Sequence, residues 1–362
     1  MNSIVTALKA RPAVASATTA IAVFAVYITA WPTAIDPAAF EPDDPPAMEG
    51  VLEPNDRLRG AVRIAEGDVD GPEDVEVGAD GLIYAGTQDG RIVRIDPDTE
   101  AVDTFAQTGG RPLGMMFDNT GDLIVCDAYE GLLSIDESGD IEVLADEADG
   151  LPFGFTNDLD IADDGTIYFT DASHRFEQSE YLYDLLESRP HGRFMRYDPD
   201  GGDVEVLADD LYFANGVALA DDESFAVVNE TYRYQIRRVW LDGERRGDVE
   251  VFADNLPGFP DNINRSSDGT FWLALYTVRN PMMDRLHPSP FAKKATSRLP
   301  KLLWPAPEPH GFVAEVDHTG QIIDTYQDPG GEVLSEVTSV KEFDDALYLG
   351  TLDNHWVGRL EL

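Results

Sequence analysis

Four short motifs place an oxygen donor just before an apolar run: Glu73 in GPEDVEV, Asn157 in FTNDLDI, Asn215 in FANGVAL and Asp261 in FPDNINR. A hard cation such as Ca²⁺ takes roughly six to eight oxygen ligands and accepts amide carbonyls beside carboxylates, so this set suits one ion whose charge Glu73 and Asp261 balance. Turn capping is the competing use of Asn and Asp at strand starts, but it does not account for a glutamate. The histidines at 174, 191, 287, 310, 318 and 355 form no pair at zinc spacing. Neither HExxH nor GxSxG occurs, so zinc and serine hydrolysis lack local support. Cys126, the single cysteine, lies in the apolar run LIVCD, allows no intrachain disulfide and reads as a buried filler.

The elements that must position these donors recur along the chain. Six phrases repeat an apolar strand, an acidic or glycine turn, a second strand and a third: GADGLIYAGTQDGRIVRID, DNTGDLIVCDAYEGLLSID, ADDGTIYFTDAS with GRFMRYD, ADDESFAVVNETYRYQIRRVW, SSDGTFWLALYT with GFVAEVD, and EFDDALYLGTLDNHWVGRLEL. A repeat of roughly 40 to 75 residues suits propeller blades, each too small to bury both faces alone. The expected fold is all-β, a six-bladed β-propeller over residues 60–362 preceded by an N-terminal transmembrane helix. The donors then begin the innermost strands of blades one, three, four and five, beside the channel. Asp80-Gly81, Asp164-Gly165 and Asp268-Gly269 are ordinary hairpin turns. An outer strand of the VEVLADD type precedes most blades, whereas residues 61–66 follow no earlier blade and the last blade lacks a fourth strand. Pairing of the termini closes the ring and removes two exposed edges.

Composition bounds the partners. The 362 residues carry a formal net charge of -43, with 69 acidic residues against 26 basic ones. This excludes nucleic acid, whose binding needs a positive groove. A carboxylate-rich, lysine-poor surface suits high salt, where the Debye length falls to about 3 Å. Residues 13–31 carry no charge and include AIAVFAVYITAW; Lys9 and Arg11 precede them and Asp36, Glu41, Asp43 and Asp44 follow. The positive-inside rule places residues 1–12 in the cytoplasm and the propeller outside the cell membrane. A cleaved signal peptide and a secreted protein is the alternative. The acidic, proline-rich residues 32–59 read as an unfolded tether. Two blades carry insertions. In residues 172–193, Tyr181, Leu182, Leu185 and Leu186 have helical spacing. Residues 279–310 combine apolar and basic side chains and form a lid over the channel mouth, a membrane-touching surface or a disordered excursion.

The phrases GRPLGMMFDNTGDLIVCDAYEGLL, FTDASHRFEQSEYLYDLLESRPHGRFMRYDP, FANGVALADDESFAVVNETYRYQIRRVWL and FPDNINRSSDGTFWLAL resemble the strictosidine-synthase-like family, within the superfamily of gluconolactonases and paraoxonases. The resemblance spans nearly all of residues 61–362 and extends to the adipocyte plasma-membrane-associated proteins. It implies a six-bladed propeller with a catalytic channel Ca²⁺ on Glu73, Asn157, Asn215 and Asp261, with Asn262 as a fifth ligand. It also implies a second, structural Ca²⁺ against Asp74 and Asp158. Two departures matter. Thr338 stands where the synthase has its catalytic glutamate, with Glu336 a register shift away, and Leu113 stands where paraoxonases have a histidine. Strictosidine synthase activity is therefore not expected.

A channel Ca²⁺ would polarise the carbonyl of a small-molecule lactone or ester and orient water. Asp261 resembles the gluconolactonase aspartate and is the first candidate base, with His174 and His310 from the insertions as second choices. The reading is a membrane-anchored, calcium-dependent lactonase or arylesterase-like hydrolase. The alternative is a non-catalytic propeller that binds a partner or ligand.

Overall fold

In the computed structural model, which describes Ser16 and residues 18–362, six four-stranded antiparallel sheets follow one another around a ring. Their innermost strands are Val75–Val77, Pro112–Phe117, Thr156–Ile161, Ala214–Leu219, Gly258–Arg265 and Val337–Phe343, and each touches the next, the sixth returning to the first. Ring closure is as expected: Val62–Ile64 completes blade six against Val357–Glu361, with Val62 opposite Arg359 and Ile64 opposite Val357. The termini thus cover each other's edge. The second strand Leu123–Asp127, with Cys126, is buried at every residue because neighbouring blades cover both faces.

Two repeated devices aim the channel residues. In blades two to six the innermost strand shifts register within its first residues, between Pro112 and Met115, Thr156 and Leu159, Ala214 and Val217, Pro260 and Ile263, and Val337 and Ser339. Such bulges re-aim side chains that simple alternation would turn into the sheet. A carboxylate ending the second strand also holds the segment leading into the first: Asp127 Oδ1 accepts from Arg111 N at 2.9 Å, Asp171 Oδ1 from Phe155 N at 2.8 Å and Glu230 Oε1 from Tyr212 N at 2.7 Å. These anions satisfy backbone N–H groups that the bulged strands leave unpaired.

The insertions are ordered. The N-terminal helix α1 is described over residues 18–30. The first insertion contains α2 (Tyr181–Glu187), where the spacing predicted a helix, and the second contains α3 (Pro281–Leu286) and α4 (Pro290–Thr296). Asn280 caps α3 by accepting from Met282 N at 2.8 Å, and Ser289 caps α4 by accepting from Ala292 N at 3.2 Å; each helix starts with proline. Ile35, Phe176, Leu186, Met283 and Trp304 share one small core, so the insertions pack on each other.

That core corrects the reading of residues 32–59 as an unfolded tether. Ile35 is buried, and the backbone is bonded at Ala38 N to Glu187 O (2.9 Å) and at Phe40 N to His287 O (3.0 Å). The buried Lys293 ammonium donates to Ala38 O and Ser188 Oγ, both at 2.8 Å. Few apolar side chains suffice because the insertions and blade five supply partners for an extended backbone that makes few bonds of its own.

Among the described residues no helix is long and apolar enough to cross a membrane. The expected span of 13–31 lies partly outside them, at residues 13–15 and 17, and the expected cytoplasmic segment 1–12 wholly so.

Candidate functional site

One residue per blade faces the channel: Glu73, Leu113, Asn157, Asn215, Asp261 and Thr338. All six border a single cavity of about 310 Å³. The four predicted donors therefore converge, together with the two positions at which the family resemblance fails. Glycines allow the inner strands this close an approach; a Cβ on Gly216 would lie 2.5 Å from Asn262 Cα, and one on Gly114 2.6 Å from Asp158 Cα.

A ring of side chains fixes the donor backbones from the neighbouring blade. Thr170 Oγ1 donates to Asn215 O (2.7 Å), Thr231 Oγ1 to Pro260 O (2.7 Å), Asn229 Nδ2 to Asp261 O (2.5 Å) and Thr338 Oγ1 to Glu73 O (2.5 Å). Thr338 thus holds the Glu73 main chain at the position of the expected glutamate.

Glu73 Oε2, Asn157 Oδ1, Asn215 Oδ1 and Asn262 Oδ1 are buried without a hydrogen-bond partner. Leaving four such oxygens unsatisfied costs about 1–3 kcal/mol each, so the set is poised for a hard cation that they would jointly hold with Asp261. Burial, then the Asp261 and Asp74 charges, push the Glu73 carboxyl well above its ordinary range, and Arg111 opposes the shift. Burial raises Asp261 to about 7 against a hydrogen bond from Asn215. Two carboxylates in one dry site disfavour each other's ionisation until a cation joins them. Asn262 is buried beside Asp261 but does not border the cavity. Among the described residues no group of three His, Cys, Asp or Glu side chains forms a metal cluster, and the candidate set is instead two carboxylates with amides.

The second expected ion does not fit in the same way. Lys341, from blade six, pairs with Glu76 and donates to Met115 O at 3.0 Å, and its charge acts on Asp74 and Asp158. Asp74 Oδ2 already accepts from Met115 N and Asp158 Oδ2 from Val217 N, both at 2.9 Å. Burial works against the Lys341 ammonium, yet Glu76 and Asp74 hold its pKa above the usual lysine value. Lys341 thus brings one positive charge to three carboxylates; Asp74 Oδ1 stays buried without a hydrogen-bond partner, and burial, then the Asp74 charge, push the Asp158 carboxyl well above its ordinary range, so the chain's own ammonium offsets only part of the charge at the expected second site.

His174 and His310 do not border the cavity. The His174 ring meets His191 edge-on at 5.3 Å, and His310 Nε2 lies 3.1 Å from Gln327 Oε1. Desolvation lowers both pKa values.

The sequence reading overlooked the cavity's aromatic wall. Phe155, Phe213 and Phe259 line it, each two residues before a donor, and Tyr181, Tyr232 and Tyr276 complete it. The recurring Phe-x-Asn/Asp in FTN, FAN and FPD was the available signal. Met283, Lys301, Leu302 and Trp304 roof the cavity, so residues 279–310 form the expected lid and not a disordered excursion.

Residues 157–244 match the strictosidine synthase family and residues 50–95 the strictosidine synthase-like N-terminal family. An adipocyte plasma membrane-associated protein of Rattus norvegicus is 37% identical over 352 residues, covering 91% of this chain and 93% of the relative. The chain belongs to this family. The protein STRICTOSIDINE SYNTHASE-LIKE 4 of Arabidopsis thaliana is likewise 37% identical over 339 residues, covering 90% of each chain. Among solved structures, a gluconolactonase of Xanthomonas campestris superposes with a TM-score of 0.62 at 19% identity, covering 92% of this chain and 99% of that one. The calcium-binding protein regucalcin of Agrobacterium tumefaciens gives 0.57 at 16%, covering 83% and 92%. At these identities the likeness establishes the six-bladed propeller fold alone.

Proposed function

We propose that the protein is a membrane-anchored, calcium-dependent hydrolase of lactones or aryl esters acting in the propeller channel. The observation that carries this reading is the convergence of Glu73, Asn157, Asn215 and Asp261, three of them with orphaned oxygens, on the floor of an aromatic cavity. The superposed gluconolactonase and the calcium-binding regucalcin support the same chemistry.

Glu73, Asn157, Asn215, Asp261 and the adjoining Asn262 would hold the Ca²⁺, which when bound supplies Lewis acidity toward a carbonyl oxygen. Phe155, Phe213 and Phe259 line the wall and exclude bulk water, while Lys301, Leu302 and Trp304 cover the opening. Asp261 takes the proton from the water as its oxygen bonds to the carbonyl carbon, and returns it to the leaving oxygen as the C–O bond breaks. The Asn215 amide keeps the carboxylate oriented, and the hydroxyl of Thr231 and the amide of Asn229 fix its backbone on either side. The N-terminal apolar residues 13–31 serve as a single-pass anchor with the propeller outside the cell, in a protein adapted to high salt.

A second reading, a non-catalytic propeller that binds a small apolar ligand, is favoured by Leu113 and Thr338, which leave two blades without an acid or base on the channel wall. The two separate in one assay. Calcium-loaded protein at high salt should hydrolyse members of a lactone and aryl-ester panel, and folded Asp261→Ala should not. Absence of hydrolysis across the panel by the wild type would sink the first reading.

A further inference from the structure

The outer face of the lid differs from the rest of the molecule. Met282 is 56% exposed, Phe291 63%, Leu302 85% and Leu303 57%. Leu302 also borders the cavity, so the rim of the channel mouth is itself an exposed apolar side chain. Residues 279–310 carry six basic side chains against Asp284 and Glu308 alone, and three of the chain's five lysines, in a chain of net charge -43.

α1 is tied to this face. Tyr27 Oη donates to Arg298 O at 2.8 Å, and the Arg298 guanidinium donates to Ile28 O at 2.7 Å and Trp31 O at 2.6 Å, receiving the open carbonyls at the helix end. Thr33 and Ser297 hydroxyls meet at 2.6 Å. From this junction α1 extends with Ile21, Val23, Phe24 and Val26 exposed, and Trp31 is 61% exposed at its base.

We propose that the lid face carrying Met282, Phe291, Leu302 and Leu303 docks on a lipid bilayer, so that the channel mouth opens onto the membrane interface. Apolar side chains interspersed with lysine and arginine are the composition of interfacial segments, and an aromatic residue at the end of an apolar helix suits the headgroup level. Charge decides the orientation. Arg279 and Lys293 are buried and Lys294 pairs with Asp36, so the face presents Arg285 and Lys301 beside its apolar side chains, while the acidic remainder of the surface is repelled by an anionic bilayer. The hydrogen-bonded junction with α1 brings that same face to the point where the chain leaves the membrane. The docking rests on the anchor reading of residues 13–31. Only its consequence, that the substrate is an amphiphilic lactone or ester entering tail-first past Leu302, rests on the hydrolase reading.

Cys126 is the sole cysteine and is buried, so single fluorophores can be placed elsewhere. Full-length Leu302→Cys and Phe291→Cys, labelled and incorporated into phosphatidylcholine–phosphatidylglycerol vesicles, are compared with Asp164→Cys in the turn at the opposite end of blade three. Melting temperature confirms folding of each. The expected result is flotation with the vesicles, labels at 302 and 291 quenched by brominated lipid, and iodide access about fivefold below that at 164. Flotation with equal iodide access at all three sites overturns the docking and leaves the anchor standing. Labels at 302 and 291 shielded from both quenchers indicate that protein covers the face, which also overturns it. Failure to float overturns the anchor and the docking together. None of these readouts depends on hydrolysis.

Discussion

Two acidic clusters lie along the same channel and resolve their charge in opposite ways. The cluster of Glu73 and Asp261 faces the cavity with orphaned oxygens beside it. The cluster of Glu76, Asp74 and Asp158 holds the Lys341 ammonium, paired with Glu76, although Asp74 Oδ1 is orphaned there too. A buried carboxylate needs a counter-charge or a proton, so the contrast separates a site with no cation of its own from one that the chain supplies in part.

The largest effect should come from removing the open site's central ligand. Asp261→Ala is expected to lower hydrolysis about a thousandfold and to abolish stabilisation by calcium, which in the wild type reaches about 2.7 kcal/mol at a hundredfold excess over Kd. Calorimetry with parallel melting curves checks both. An Asp261→Ala protein that still binds calcium as tightly as the wild type would make the two clusters alike.

Breaking the closed cluster should act on stability and not on calcium. Lys341→Met strands the Glu76 carboxylate and is expected to cost about 3–5 kcal/mol in denaturant unfolding, most of it recovered by adding Glu76→Gln. Calcium stoichiometry should stay at one. A rise to two would mean that a divalent ion can replace the ammonium.

The clusters should also differ in pH response. The raised pKa of Asp261, about 7 through burial, means that the cation-free site holds a proton that binding must displace. Displacing that one proton makes calcium affinity rise by up to tenfold per pH unit below about 7, with the Glu73 carboxyl, also raised, adding to the slope. The raised pKa of Lys341 has the other sign. Its contribution is complete below the unfolded lysine value of about 10.4 and is lost only as pH climbs through the higher folded value, so Lys341 itself adds no pH dependence across this window. Calorimetric titration at several pH values tests the contrast.

The smallest effect probes the support of one ligand. Thr338→Val removes the hydroxyl held by Glu73 O and should weaken calcium about tenfold while costing about 1 kcal/mol of stability. A stability loss without any change in affinity would reduce Thr338 to a structural role.

Repetition makes much of this molecule readable from its sequence alone. Six recurrences of strand, turn and strand specify six blades because the hydrophobic alternation of each blade is local, and the orphan strand at residues 62–64 signals closure because an unpaired edge is unfavourable. The donors Glu73, Asn157, Asn215 and Asp261 were readable because they recur at one register of the repeat. The helix Tyr181–Glu187 followed from its spacing.

Other features depend on contacts across the ring. Lys341 lies hundreds of residues from Glu76 in the chain, and its place beside that carboxylate exists only once blade six meets blade one. His174 and His310 had the right chemistry, yet neither borders the cavity that other residues of their insertions line. Residues 32–59 looked unable to fold because their composition lacks a core of its own, and they are ordered because the insertions lend them one. The sequence by itself determined the repeating blades and the oxygen donors, since both follow from patterns within a few residues. Tertiary structure decided which buried charges are already satisfied, which strands bulge toward the axis and what covers the mouth, since each depends on groups brought together by closing the ring.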